Sequence, residues 1–325
     1  MYKLEKKELN NLIVSLAGTY QVLAPVRTDV VRFQEVSDAS DIDLTENSYV
    51  PIKQFFYPQQ ETLFTFSGNE VKVPIKEAGP RVFFGVRRCD LNAVAHQDLV
   101  YLEEPKNPYY EARRKNAVLI GYHCAQPANP NCFCGSMDLK DCQDLMLVER
   151  PDYFLVEVGS EQGEKLVQQL SKHFQKTDEA LRPEDKKTPD AEKLATTDIA
   201  RFYDNPEWET GVKWCLSCAA CTTLCPTCYC HEIQDQVESG DLTKGCRDRC
   251  WSSCQLKEFT RVAGGFVFRE PRSERFRFRI YHQIEYYRER YGVTMCVGCG
   301  RCISYCPTKI DWVSIVNRMV GNGKK

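Results

Sequence analysis

Two stretches of the chain carry the same dense spacing of cysteines. The sequences CLSCAACTTLCP and CVGCGRCISYCP begin 81 residues apart, and both read C-x2-C-x2-C-x3-C-P. Thiols set this closely can surround a compact inorganic core from several sides, and this spacing binds [4Fe–4S] clusters in bacterial two-cluster proteins. The repeat therefore predicts a pair of cubane clusters. The eight cysteines are Cys215, Cys218, Cys221, Cys225, Cys296, Cys299, Cys302 and Cys306.

The fourth cysteine of each repeat directly precedes a proline, and in two-cluster ferredoxins this cysteine ligates the other cluster. We therefore expect the ligand sets to be crosswise. Small residues between the ligands, such as Gly298 and Gly300, suit a backbone that must approach inorganic sulfide closely. The predicted ligands are Cys215, Cys218, Cys221 and Cys306 for cluster 1, and Cys296, Cys299, Cys302 and Cys225 for cluster 2.

Two other uses of cysteine fit the sequence less well. The chain has 18 cysteines in 325 residues, but disulfide frameworks occur mostly in small secreted domains. The N-terminal MYKLEKKELNNL lacks a secretory apolar core. Structural zinc sites use two well-separated C-x2-C pairs per ion, unlike the three closely spaced cysteines of each repeat. We therefore favour iron–sulfur ligation in a reducing compartment and expect a cytoplasmic protein.

Composition and motifs argue against several other functions. The net charge is −2, so no overall positive field favours nucleic acid or an anionic membrane. The sequence contains no run of eighteen apolar residues, which predicts no membrane span. It contains neither a P-loop nor a G-x-G-x-x-G after a strand. We therefore expect no nucleic-acid partner and no nicotinamide or flavin site of the chain's own.

The first half of the chain has the pattern of an α/β unit. PRVFFGV (80–86) and NAVLIGYHC (116–124) read as buried strands, and DLNAVAHQDLVYL between them has helical spacing. Residues 1 to about 22 read as an amphipathic helix that leads into a strand. Residues 176–193 are densely charged, which is typical of a boundary.

These patterns predict an α+β fold. Between the two cysteine repeats, FRIYHQIEYYRERYG has a helical pattern, so we expect the second half to be mainly helical. The expected domains are a mixed α/β domain over 1–178 with an iron–sulfur site of its own, a linker over 179–204, and a helical two-cluster ferredoxin-like domain over 205–325.

Four further cysteines follow the predicted strands of the first half. Cys89 follows the first strand, Cys124 ends the second, and Cys132 and Cys134 lie in the next loop, NPNCFCGSMD. Two strand ends and a following loop can converge on one pocket, where four thiolates would complete a third cluster. On the residues alone, zinc binding and plain burial of small apolar side chains remain alternatives.

Longer segments resemble a known family. The segments GVRRCDLNAV, NPYYEARRKNAVLIGYHC, NCFCGSMD, CLSCAACTTLCPTCYC, WSSCQ, VAGGFVFRE and CVGCGRCISYCP are similar to two related proteins. One is the A subunit of anaerobic sulfite reductase, and the other is the beta subunit of cytoplasmic sulfhydrogenases. The resemblance covers most of residues 50–320, and the RRCDLNA stretch with Cys142 favours the first of the two.

The resemblance implies an electron-transfer subunit with several [4Fe–4S] clusters and no bond-making chemistry of its own. Its expected partners are an FAD-containing subunit that handles NAD(P)H and a catalytic subunit. The catalytic subunit would be a sirohaem sulfite reductase or a nickel–iron hydrogenase with sulfur reductase activity. Cys89, Cys124, Cys132 and Cys134 match the family's N-terminal cysteines and are the expected ligands of cluster 3. The alternative is a catalytic reductase subunit whose N-terminal metal site is open to a small substrate.

Two features stay open on the sequence. Cys228, Cys230, Cys250 and Cys254 either form a fourth metal site or pack near the clusters as small apolar side chains, and Cys142 and Cys246 have no assigned role. The arginine-rich FREPRSERFRFRIYH (268–282) fits docking to an acidic partner, charge compensation near clusters or a solvated helix face.

Overall fold

Two β-sheets and a set of mostly short helices make up the computed structural model, which describes residues 1–322. The strands are β1 (Tyr2–Glu5), β2 (Gln21–Arg27), β3 (Val31–Glu35), β4 (Gln60–Ser67), β5 (Glu70–Lys72), β6 (Arg81–Arg87), β7 (Ala117–Tyr122), β8 (Leu145–Glu149), β9 (Tyr153–Val158), β10 (Gln175–Lys176), β11 (His231–Glu238) and β12 (Asp241–Trp251). The helices are α1 (Leu9–Ala17), α2 (Arg88–Tyr101), α3 (Pro108–Arg114), α4 (Glu161–Gln169), α5 (Glu209–Val212), α6 (Ala220–Thr223), α7 (Arg272–Tyr281), α8 (Tyr287–Tyr291), α9 (Arg301–Ser304) and α10 (Trp312–Asn322).

The larger sheet has eight strands in the order β10-β1-β9-β8-β7-β6-β2-β3. Its centre is parallel, because β2, β6, β7 and β8 pair in one direction. The flanking strands pair antiparallel. Helices α1 and α4 pack on one face and α2 on the other, so each face covers its own apolar core. The mixture of helices and sheets is consistent with the predicted α+β class.

The central strands β6 and β7 are buried along their whole length, as their apolar runs predict for strands covered on both faces. Helices α2 and α3 connect them, so the strand–helix–strand prediction for this region is confirmed. Both strands end at the same edge of the sheet. This edge carries Cys89 in the first turn of α2 and Cys124 just beyond β7.

The N-terminal segment departs from the prediction. It begins with the strand β1, and the helix covers only Leu9–Ala17. Strand β1 fills the place between β9 and β10 in the sheet. Its partners lie about 150 residues away in sequence, and a local pattern carries no information on a pairing of that range.

A four-stranded sheet, in the order β11-β12-β4-β5, joins the two halves of the chain. The hairpin β11–β12 lies between the cysteine repeats, so the second half is less helical than expected. Most residues of β11 are exposed, and a strand with polar residues on both faces lacks the apolar alternation that reveals strands in a sequence. Because β12 pairs with β4, this sheet bridges the predicted linker, and the division into three domains stays a prediction.

The second half has its own apolar core, to which α5, α7 and α10 contribute. Buried aromatic side chains fill it, including Trp208, Phe276 and Trp312. The predicted helix between the repeats is confirmed: α7 and α8 are joined by a π-helical turn over His282–Tyr286. Phe133, from the loop that carries the N-terminal cysteines, packs edge-on against Trp312 with ring centroids 5.4 Å apart. The two halves therefore share this core.

The segment predicted as a linker, 179–204, lies against both halves. Arg150 forms a bidentate ion pair with Asp185, with its Nη1 and Nη2 atoms 3.0 and 2.6 Å from the two carboxylate oxygens. Ile199 is fully buried in the second core, and its backbone N–H donates to Glu285 at 2.7 Å. Among the described residues, no helix is long and apolar enough to cross a membrane.

Replacing Glu61 with alanine tests the attachment of the hairpin to β4. Glu61 is buried and accepts from the guanidinium groups of Arg249, on β12, and Arg113, on α3. Removing one partner of a buried ion pair costs about 3–5 kcal/mol, because the remaining charge is left uncompensated. We expect a loss of that size in the free energy of unfolding, measured by anaerobic urea denaturation.

The matched control is Asp235→Ala, which removes the partner of Arg247 in an exposed pair on the same hairpin. Exposed pairs contribute little to stability, so this variant should unfold like the parent protein. Equal stability of the two variants would contradict the role given to Glu61.

Candidate metal centre

The two cysteine repeats fold into nearly the same backbone shape. Ser217 and Gly298 hold equivalent positions, with φ of +52° and +65°. Ala219 and Gly300 are the next equivalent pair, with φ of +67° and +74°. Each repeat then enters a one-turn helix, α6 or α9. The repetition seen in the sequence is therefore a repetition of conformation.

The left-handed residues of each repeat turn backbone N–H groups toward sulfur. The N–H of Ser217 donates to Cys215 Sγ at 3.4 Å, and that of Gly298 donates to Cys296 Sγ at 3.5 Å. A residue other than glycine is destabilised by roughly 1–2 kcal/mol in the left-handed conformation, yet Ser217 adopts it. Hydrogen bonds to ligand sulfurs are one of the means by which proteins set cluster potentials.

A hydroxyl group also contacts the fourth cysteine of each repeat. Thr227 Oγ1 lies 3.2 Å from Cys225 Sγ, and Thr308 Oγ1 lies 3.5 Å from Cys306 Sγ. Both threonines follow the prolines that end the repeats. These contacts extend the correspondence of the two repeats beyond the four cysteines.

All eight repeat cysteines line one cavity with a volume of about 80 Å³. Its wall is otherwise mostly apolar and includes Val297, Phe276 and Trp312. In residues 1–322, no three His, Cys, Asp or Glu side chains converge closely enough to hold a single metal ion. The donor set, eight unpaired thiols around one apolar cavity, fits a pair of cubane clusters.

Burial and crowding disfavour ionised thiols in this cavity. Burial raises the pKa of Cys296 well above its usual value, and the neighbouring sulfurs of Cys302, Cys225 and Cys299 raise it further. Burial also raises the pKa of Cys302 to about 12. A bound cation is what makes such thiols ionise. Cys225 lies near the cysteines of the second repeat, and both crosswise ligand sets stay predictions.

One guanidinium group faces the same cavity. Arg279, on α7, lines it, and its Nη2 donates to the carbonyl of Cys221 at 2.9 Å. Burial alone would lower the pKa of Arg279, but the sulfurs of Cys225, Cys221, Cys228 and Cys302 hold it well above its usual value.

The N-terminal cysteines converge at the edge of the large sheet. Burial raises the pKa of Cys132 to about 12, and the sulfurs that act on it are those of Cys134, Cys299 and Cys124. Burial likewise raises the pKa of Cys134 to about 11, with Cys124 its strongest charged neighbour. Cys89 is buried, and Cys134 and Cys299 are among its neighbours. The four predicted ligands of cluster 3 therefore lie in one neighbourhood, with Cys299 of the second repeat beside them. As in the repeats, no three of them are close enough within residues 1–322 to hold a single metal ion, and cluster 3 stays a prediction.

Direct contacts fasten this cysteine loop to the second repeat. The N–H of Phe133 donates to the carbonyl of Gly298 at 2.8 Å. The carbonyl of Cys299 accepts from Asn129 Nδ2 at 3.0 Å and from Asn47 Nδ2 at 3.1 Å. A Cβ added to Gly298 would lie 2.5 Å from the backbone of Cys134. Glycine is therefore needed here for close approach as well as for its backbone conformation.

A buried ion pair that no sequence pattern predicted completes this contact. Arg301, in the second repeat, is fully buried, and its two terminal nitrogens donate to the carboxylate of Asp90 at 2.7 Å each. Its Nε donates to the carbonyl of Ser48 at 2.7 Å. Asp90 follows Cys89 directly, so the pair links a predicted ligand of cluster 3 to the second repeat. A lone arginine between cysteines carries no sequence signal for such a distant partner.

The remaining cysteines divide into two groups. Cys228 and Cys254 are buried, and the thiol of Cys230 interacts with both. These three lie close together, and Cys228 acts on Cys221 of the first repeat; their role as packing residues stays a prediction. Cys250 is paired in register with Glu232 on the hairpin, and its charged neighbours are Asp248 and Glu232. The structure therefore does not bring Cys250 together with Cys228, Cys230 and Cys254 as a fourth metal site would require. Cys142 and Cys246 lie outside the cavity lined by the repeats.

Comparison with known proteins gives two matches. Residues 214–310 match the family model described as a 4Fe–4S dicluster domain. The chain is also 34% identical over 316 residues to sulfhydrogenase 2 subunit beta of Pyrococcus furiosus, with 92% of each chain covered. The dicluster model spans both cysteine repeats and the hairpin between them.

The variant Gly298→Ala tests the contact between the cysteine loop and the second repeat. Alanine would strain the backbone at φ +65° and collide with Cys134. We expect iron to fall from about twelve atoms per chain to about eight or fewer, since at least one four-iron cluster is lost. Metal analysis of the anaerobically purified protein measures this.

Gly292→Ala is the matched control, because Gly292 has φ +76° but no atom within 4 Å of an added Cβ. It imposes the same kind of backbone strain without the collision, and it should keep its iron. Full iron content in Gly298→Ala would overturn the contact as an element of the site.

Proposed function

Because this chain belongs to the sulfhydrogenase beta-subunit family, we propose that it carries single electrons between an FAD-containing subunit that handles NAD(P)H and a catalytic subunit. The family and the dicluster match make it an iron–sulfur electron-transfer subunit. The identity of the two partner subunits goes beyond these matches. We propose that the catalytic subunit is a sirohaem sulfite reductase or a nickel–iron hydrogenase.

We assign twelve cysteines to three [4Fe–4S] clusters, which accept and release one electron at a time when bound. The eight cysteines of the repeats would hold two clusters, with the fourth cysteine of each repeat exchanged. Support comes from the common cavity and from the position of Cys225 beside the second repeat. The third set is supported by the convergence of Cys89, Cys124, Cys132 and Cys134.

The observation that carries the proposal is the place of Cys299. It belongs to the second repeat, yet Cys132 Sγ lies 3.7 Å from its carbonyl oxygen. Cys299 also packs with Cys89 in one apolar cluster, so the second and third sets of sulfurs are neighbours. The protein would thus hold three redox groups in a row, and the middle one would be the cluster at the second repeat. This is the arrangement that a subunit conducting electrons requires.

The chain's own residues contribute burial and fixed positions. Val297 and Ala93 lie with Cys89 and Cys299 in a small apolar cluster between the second and third sets. An apolar surrounding keeps water away from the sulfurs, and solvent exposure is one of the factors that set cluster potentials. Because Arg301 is held by Asp90 and Ser48, the separation of the two sets is fixed by the fold.

One observation favours the alternative of a catalytic N-terminal site. Cys124 and Cys134 are partly exposed, and Arg87 Nη1 lies 3.4 Å from Cys124 Sγ. A cationic group beside an accessible metal site would suit a small anionic substrate. The alternative and the proposal differ in what the loss of one ligand would do.

Replacing Cys134 with serine in the assembled complex separates the two functions. If the site only conducts electrons, NAD(P)H-driven turnover should fall strongly while the catalytic partner keeps its activity with an artificial dye donor. Cys246→Ser, on the hairpin and outside the ligand sets, is the control and should leave both activities unchanged. Loss of activity with every donor would favour a catalytic N-terminal site.

The cluster count gives a direct test of composition. The anaerobically purified protein should contain about twelve iron and twelve acid-labile sulfide per chain, four of each per cluster. It should be brown and bleach with dithionite. A content of about eight iron and eight sulfide per chain would show that cluster 3 is absent. A content of zinc without acid-labile sulfide would exclude the proposal.

A further inference from the structure

We propose that Arg279 is a shared cation for the two clusters held by the repeats, and that it donates a hydrogen bond to cluster sulfur and raises both reduction potentials. This inference rests on the proposed function, because it assumes that clusters occupy the cavity. It assigns one arginine of the 268–282 stretch to charge compensation, one of the alternatives that the sequence left open.

The position of Arg279 gives the first support. It lies on α7, a helix that runs past both repeats, and its side chain lines the cavity together with the eight cysteines. Its Nη2 is fixed by the carbonyl of Cys221 at 2.9 Å. The same cavity is lined by Cys221, from the first repeat, and by Cys302, from the second, and the sulfurs of both act on the charge of Arg279. One guanidinium group therefore faces both ligand sets.

The unused hydrogen-bonding capacity of Arg279 gives the second support. Its Nε is buried and has no hydrogen-bond partner within the described part of the chain. A buried donor without a partner costs about 1–3 kcal/mol. Arg81, Arg88 and Arg277 also have a buried Nε without a partner, but of the four only Arg279 lines the cavity. Here the open side of the group is the cavity. A cluster sulfide or ligand sulfur in that cavity would accept the bond.

Comparison with the buried arginines of the chain gives the third support. Arg301 is neutralised by Asp90, and Arg249 by Glu61. Arg275, one turn before Arg279 on the same helix, donates to the backbone carbonyls of Gln255, Arg269 and Glu270. In residues 1–322, Arg279 forms no ion pair with a carboxylate. Arg81, Arg87 and Arg275 also donate to backbone carbonyls rather than to a carboxylate. Of these arginines only Arg279 lines the cavity, where the thiolates that ligate the clusters would balance its charge.

The expected effect follows from electrostatics. Reduction adds one electron to a cluster, and a fixed positive charge nearby stabilises the more negative state. Net charge and hydrogen bonds to sulfur are known determinants of cluster potentials. With an effective dielectric constant near 20, a unit charge several ångströms away favours reduction on the order of tenfold. For a one-electron couple, a tenfold change corresponds to about 59 mV.

The test is a redox titration of the reduced clusters, followed by electron paramagnetic resonance, on the anaerobically purified protein. Arg279→Gln removes the charge and keeps donor groups, and both clusters of the repeats should become harder to reduce by about tenfold. Arg279→Lys keeps the charge and should retain potentials close to those of the parent. Arg277→Gln is the control, since Arg277 lies two residues away and its Nη1 faces Asp204 at 3.5 Å; it should change neither potential.

Each outcome bears on the proposal. Unchanged potentials in Arg279→Gln, with full iron content, would overturn it while leaving the proposed function intact. If Arg279→Gln loses iron, recovery of both iron and potential in Arg279→Lys supports the role of the charge, and failure to recover overturns it. Absence of clusters in the parent protein would instead overturn the proposed function, so the two failures are distinguishable.

Discussion

The crowding of sulfur around one cavity is the constraint on which the rest of the structure depends. Eight thiols share that cavity, and the buried ones resist ionisation because each new thiolate would lie beside others in an apolar wall. Iron would relieve this by supplying positive charge where the sulfurs meet. The left-handed conformation of Ser217 and Gly298 serves the same site, because it brings the backbone N–H of each residue to a cysteine sulfur.

The first, α/β half of the chain cannot be separated from the second repeat without exposing a buried ion pair to solvent. Arg301 and Asp90 are both almost completely inaccessible to solvent, and the pair joins the first turn of α2 to the loop that carries Cys299 and Cys302. Phe133 adds an apolar contact by entering the core of the second half. The third set of cysteines is therefore held against the second repeat by charge, by hydrogen bonds and by packing. This continuity is what suits the protein to electron transfer.

Sequence reasoning found the parts of this arrangement that are encoded locally. The repeats, the buried strands β6 and β7 and the helix at α7 each carry a short-range pattern of cysteine spacing, apolar runs or helical periodicity. It missed β1 and the hairpin β11–β12, because their partners are distant and the hairpin is polar on both faces. The roles of Arg301 and Arg279 could not be predicted from the sequence, because each is one arginine among many. Only the fold shows that Arg301 faces Asp90 and that Arg279 faces the cavity.

The most direct test of three clusters in sequence is anomalous scattering at the iron absorption edge, from crystals of the anaerobically prepared protein. Three compact peaks are expected, with the middle one among Cys225, Cys296, Cys299 and Cys302, and an outer one among Cys89, Cys124, Cys132 and Cys134. Peaks confined to the two repeats, or a middle peak bound by the four cysteines of a single repeat, would contradict the account.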